Sequence, residues 1–265
     1  MRSAAWTLLA AAGASAGIAG CRPAKPTAGP EAAGSALDYA APPEVKRAAA
    51  GAPGMIQFSG TSRPGALIRL ASPDGSAVGA TASSAGAWTL SAQTGGEPRL
   101  LSLSEDFGGR PLRARGYLLA VPYPAGEAAM LRPGAATAPL RPLHRLEISA
   151  VDFDAAGAAV VSGGAKPGET VHLLLDGADA GDDRADSKGA FAVSVAEPLR
   201  PGPHLLAAVT PEGRSETSFQ AGPAAPIAQP PFAAARAGAA WRVDWMTPGG
   251  GVQTTLLFDP PGTRS

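Results

Sequence analysis

The residues with the most chemistry in them are aspartates. Asp176, Asp179, Asp182, Asp183 and Asp186 fall within eleven positions, and hard oxygen ligands at that density suit calcium. A second acidic run, Asp152-Phe153-Asp154-Ala155-Ala156-Gly157, imitates the start of a calcium-loop signature. Its fifth position is Ala156, however, and its twelfth is Gly163 where a bidentate glutamate belongs. Aspartate also favours tight turns, so turn formation is the expected purpose of both runs, and no metal or cofactor is expected. Trp241 and Trp245 are the possible ligand contacts: exposed indoles would stack on a sugar, buried ones would anchor a hairpin. His144 and His204 sit near prolines in connecting segments and His172 on the polar face of a strand, so all three read as structural. Ser15, in Gly13-Ala14-Ser15-Ala16-Gly17, fits a nucleophile motif but lies in an N-terminal apolar stretch without a strand–turn–helix context. No catalytic residue is expected, and the chain does not read as an enzyme.

The N-terminal stretch carries a different signal. Arg2 precedes an uncharged run from about Ala4 to Ala19, and Ile18-Ala19-Gly20 leads into Cys21, the only cysteine. A positive start, an apolar core of roughly 7–15 residues and small residues at the cut describe a secretory signal. The run is too short and too weakly apolar to remain as a membrane span, which needs about 20 residues. The tetrapeptide resembles the lipobox of bacterial lipoproteins. That resemblance implies cleavage before Cys21, acylation of its thiol and new amino group, and a membrane partner through the lipid. Two or more acyl chains hold a protein stably where one does not. Arg22, rather than aspartate, follows the cysteine, and this leans the expected site toward the outer membrane.

With 22 basic and 22 acidic residues the chain has no net charge, and no basic patch invites nucleic acid. Its 34 glycines and 27 prolines approach a quarter of the residues, a composition suited to short strands and tight turns. From Arg22 to about Gly54 large apolar residues are scarce, so residues 21–54 read as a disordered tether.

Two segments repeat without a gap. Ser59-Gly60-Thr61-Ser62-Arg63-Pro64-Gly65 matches Ser162-Gly163-Gly164-Ala165-Lys166-Pro167-Gly168 at an offset of 103 (168 − 65). The same offset carries Ile68 to Val171, Leu70 to Leu173, Gly86 to Gly189, Trp88 to Phe191 and Leu90 to Val193. Proline and glycine at the centre of the motif make a turn, and alternating apolar residues on either side make strands. Trp88 and Phe191, at repeated positions, are expected in cores. Strand signals every 8–12 residues predict an all-β fold of two sandwiches.

The pattern Ser-Gly-x-x-(Arg/Lys)-Pro-Gly, followed by an Asp-Gly turn and Gly-x-aromatic-x-aliphatic, resembles bacterial Ig-like domains of envelope and surface proteins. The resemblance covers about 146–221 well and 55–122 less well, and implies a fold without catalytic residues. The expected order is a signal peptide (1–20), the tether (21–54), two Ig-like units (55–140 and 141–222), a linker (223–238) and a hairpin (239–260). Trp241, Val243 and Trp245 share one face of that hairpin. It is expected to pack on a sandwich, in preference adding strands to the first. The function this predicts is a lipid-anchored cell-envelope scaffold, structural or interacting with an envelope protein or polysaccharide. The alternative is a carbohydrate- or peptidoglycan-binding module using Trp241 and Trp245.

Overall fold

The computed structural model describes residues 40–122 and 127–260; the signal stretch, Cys21 and the tether as far as residue 39 lie outside it. The described residues form twenty strands and no helix.

The first repeat contains β1 (Glu44–Ala50), β2 (Met55–Thr61), β3 (Leu67–Ala71), β4 (Ala77–Thr81), β5 (Ala87–Gln93), β6 (Arg99–Phe107), β7 (Arg110–Arg113) and β8 (Tyr117–Ala120). Sheet β1-β2-β5 faces a sheet in which β4-β3-β6 continues to β7 and β8. The second repeat contains β11 (Glu147–Asp154), β12 (Ala159–Gly164), β13 (Thr170–Leu175), β14 (Ala178–Arg184), β15 (Ala190–Ser194), β16 (Gly202–Thr210) and β17 (Gly213–Ala221). Its sheets, β11-β12-β15 and β14-β13-β16-β17, repeat the same strand order. Each repeat is an Ig-like β-sandwich. Between them, β9 (Ala128–Leu131) and β10 (Ala138–Pro139) lengthen the second sheet of the first repeat.

Three expectations change. The segment read as tether contains β1, paired from Glu44↔Thr61 to Ala50↔Ile56, with Ala48 buried. The segment read as linker contains β18 (Phe232–Ala237), so the C-terminal hairpin of β19 (Ala240–Met246) and β20 (Val252–Phe258) is a three-stranded meander. Both segments are poor in large apolar residues, and both gain their order from pairing with a strand that is already fixed. The meander also joins the second repeat instead of the first, because β20 pairs with β11 from Ala150↔Leu257 to Asp154↔Gln253.

The meander's other face nevertheless touches the first repeat. One core fills the first sandwich (Phe58, Leu70, Trp88, Leu103) and another the second (Val161, Leu173, Phe191, Leu206). A third core lies between the repeats, where Leu100, Leu119 and Leu131 meet Ala150, Val243, Trp245 and Leu257. Strands β11 and β20 are buried along nearly their whole length because each faces a core on both sides. Four sheet layers and three cores therefore make a single compact unit of the described residues.

Candidate functional site

The five clustered aspartates are not brought together. Asp176 and Gly177 form a two-residue hairpin turn, both with positive φ (53° and 84°), as the mirror-image turn between twisted strands requires. Asp176 Oδ1 accepts the Leu205 amide at 2.8 Å and its Oδ2 lies 2.7 Å from His204 Nδ1. Asp179 accepts Gly181 N at 3.0 Å, and Asp186 accepts the Lys188 and Ala190 amides at 2.7 and 2.9 Å. Asp183 reaches across to Ala192 N at 2.8 Å. Asp182 stands opposite the exposed His172 on the outer face of the sheet. Among the described residues no three acidic, histidine or cysteine side chains are grouped to hold a metal. Asp176, Asp179, Asp183 and Asp186 fasten turns and edges.

His204 is held on both sides: its Nε2 lies 2.7 Å from the Arg200 carbonyl oxygen, and its ring tilts against Phe219. Burial works against the charged ring, but the Arg200 carbonyl and the Asp176 carboxylate outweigh it and raise its pKa. His144 is exposed. Trp88 and Phe191 are core residues, each 3% exposed.

Trp241 and Trp245 do share one face of β19, and that face is the junction between the repeats. Trp245 has no exposed surface, meets Tyr117 edge to face at 6.0 Å, and donates from Nε1 to Thr255 Oγ1 at 3.1 Å. Trp241 is half-buried, with the Arg236 guanidinium 5.1 Å from its ring centre. Arg236 is itself anchored by a two-pronged pair with Asp259 at 2.6 and 2.9 Å. The two indoles do not form a common platform for a sugar.

The junction holds Asp152, which is expected in a turn but lies inside β11, together with polar partners that sequence reasoning missed. Asp152 is 3% exposed and faces the first repeat. It accepts Thr137 N and Oγ1, both at 2.7 Å, and Thr255 Oγ1 at 2.6 Å. Thr137 returns its carbonyl oxygen to Ser162 Oγ at 2.8 Å. A continuous chain thus runs Trp245–Thr255–Asp152–Thr137–Ser162 across the two repeats. Burial raises the Asp152 pKa, and these donors pull against it.

At the elbow before β11, Arg141 bridges two buried carboxylates, pairing with Glu127 through Nε and with Glu147 at 2.5 Å. Burial pushes the Glu127 carboxyl up to about 7 against the pull of Arg141, with Glu147 and Asp259 adding to the rise. Opposite the elbow, Asp244 is 2% exposed and accepts Thr254 Oγ1, Arg242 Nε and Ala225 N. Arg242 also donates to the Gly222 and Pro223 carbonyls, pinning the start of the segment that leads into β18.

A groove of about 820 Å³ opens at one end of the second sandwich. Phe153, Leu199, Pro201, Pro223 and Val252 line it, with Glu197 and Arg200 as its charged groups. Asp154, also at its edge, is occupied in accepting the Ala156 and Ala158 amides. The groove's lining is mostly apolar, the character of a surface suited to binding.

No family profile and no curated protein matches the chain. Among solved structures the chain is similar to the BSP domain of a biofilm-associated protein, at 16% identity over 69% of this chain, with a TM-score of 0.25. It spans 30% of that chain. It is also similar to a 1.5-MDa bacterial ice-binding adhesin (14% identity, 67% of this chain and 62% of that one, TM-score 0.21). A third likeness is to the central fibronectin-III array of RIM-binding protein (10% identity, 82% and 89%, TM-score 0.24). The Ig-like architecture of this chain rests on its own strand order.

Proposed function

We propose that this chain is a cell-envelope lipoprotein, acylated at Cys21, whose two Ig-like sandwiches act as a non-catalytic scaffold. The observation that carries the scaffold reading is the junction. A third apolar core and a buried Asp152–Thr137 lock join the repeats into one body, the property needed to hold a partner at a fixed distance. Trp245, Asp152 and the Asp176, Asp179, Asp183 and Asp186 carboxylates are occupied in that body or its turns. The lipobox supports attachment to a membrane, and Arg22 supports the outer one.

Metabolic labelling with a palmitate analogue tests the anchor: the wild type should be tagged and Cys21→Ala should not. Equal labelling refutes acylation at Cys21. For the scaffold, a pair of spin labels, one on each repeat, should give a single narrow distance distribution. A broad distribution means that the repeats swing freely, and the reading fails.

A further inference from the structure

The repeats handle the same sheet edge in opposite ways. In the second repeat, edge strand β14 is guarded. It carries Asp179, Asp182, Asp183 and Arg184, and it is bulged at Gly181 (φ 125°). It is also stitched to β15 and the residues that follow it, since Asp183 Oδ2 accepts Ala192 N at 2.8 Å and the Ala180 carbonyl accepts Ala196 N at 3.4 Å. Bulges and charges are the usual protection of an edge.

The equivalent strand β4 reads Ala77-Val78-Gly79-Ala80-Thr81, with no charge, no proline and no bulge. Ala80 stands where the second repeat has Asp183, so the stitch to β5 has no carboxylate. Four of the five β4 residues are exposed, Val78 by 41%, and Leu67 on the neighbouring β3 by 60%. The bonds Ala82 N to Ala66 O and Ser72 N to Ser76 O fix the alternation of the β3–β4 ladder. By that alternation Ile68/Ala80 and Leu70/Val78 are the bonded pairs. The amides and carbonyls of Ala77, Gly79 and Thr81 therefore point out of the sheet, without partners among the described residues.

We propose that this edge pairs with β4 of a second copy of the chain, antiparallel about a two-fold axis at Gly79. The strand is its own complement. Ala77 faces Thr81 of the other copy and Gly79 faces Gly79, so the outward-pointing groups fall in register and form about six interchain bonds. No like charges meet on β4. The two Arg69 side chains, next to Gly79 on β3, stand three strand spacings apart, about 14 Å, beyond the roughly 8 Å screening length. A five-residue edge buries far less than the ~1,200 Å² of a stable dimer, so the pairing is weak.

The test uses the full chain carrying Cys21→Ser, so that neither lipid nor native thiol intervenes. Sedimentation velocity from 10 µM to 1 mM should show a monomer–dimer equilibrium. Val78→Lys and Ala80→Asp, the second copying the guarded edge, should each weaken it at least tenfold. In the same background Gly79→Cys should form a disulfide-linked dimer under mild oxidation, because bonded antiparallel partners lie about 5.5 Å apart between Cα atoms. Leu205→Cys, exposed on the outer face of β16, should not. A monomer at every concentration, a dimer untouched by both edge variants, or equal crosslinking at positions 79 and 205 overturns the proposal.

Discussion

The two repeats show how one strand plan is kept by different side chains. In both, a glycine on the second strand lets an aromatic from the fifth lie against the backbone: Gly60 under Trp88, Gly163 under Phe191. A Cβ on Gly60 would lie 1.9 Å from the Glu44 carbonyl oxygen and 2.6 Å from the Trp88 ring. On Gly163 it would lie 2.0 Å from the Glu147 carbonyl oxygen and 2.6 Å from the Phe191 ring. Glu44 and Glu147 are themselves 103 residues apart, so the repeat begins at β1 and is longer than the Ser59–Gly65 motif. What differs is the fit. Trp88 buries an Nε1–H with no hydrogen-bond partner, whereas Phe191 has no polar atom to bury. The shared backbone demand is strict and the side-chain solution is negotiable.

The largest expected effect tests the shared demand. Gly60→Ala and Gly163→Ala should each cost more than about 4 kcal/mol, since the clash is with backbone that cannot move aside. If chemical denaturation shows either variant within about 1 kcal/mol of wild type, the two sites are not equivalent. Trp245→Ala comes next, with about 3–5 kcal/mol lost from the junction core. It should leave the far-ultraviolet spectrum of both sandwiches in place.

A smaller effect distinguishes the elbow from the rest of the molecule. The Glu127 carboxyl is raised in the fold to about 7 from its ordinary 4.5, so between those values the folded state holds more proton than the unfolded. Its contribution to stability is therefore greatest below about pH 4.5 and is lost as pH rises through 7. Across that window the loss should not exceed about 3.5 kcal/mol. Glu127→Gln should remove this part of the slope of unfolding free energy against pH, and an unchanged slope would place the titration elsewhere. The smallest effect tests the negotiable fit. Trp88→Phe should change stability by no more than about 1 kcal/mol, the lost ring volume offset by relief of a buried unpaired N–H. The reverse exchange, Phe191→Trp, should cost about 1–3 kcal/mol by overfilling a packed core.

The same contrast explains what could be read before the fold was known. Turn glycines, Pro64-Gly65 and the Trp88/Phe191 positions report local geometry, and local geometry repeats visibly at a fixed spacing. Strands β1 and β18 escaped because their order comes from partners, not from their own Ala-rich composition. The junction escaped for a further reason. Thr137, Gln253 and Thr255 meet Asp152 across 15, 101 and 103 residues of sequence, so no local pattern announces them. One sign was present: Asp152 stands between Val151 and Phe153 in an apolar strand, where a carboxylate needs buried donors. Alternation along β19 puts Trp245 on the buried face, but the sheet that covers that face belongs to the other repeat.

Calorimetric unfolding of the Cys21→Ser chain tests the fused junction most directly. If the third core makes one body of the two repeats, a single transition is expected, its calorimetric and van't Hoff enthalpies equal. Trp245→Ala should then divide it into two. Two independent transitions in the otherwise unaltered chain would contradict the account.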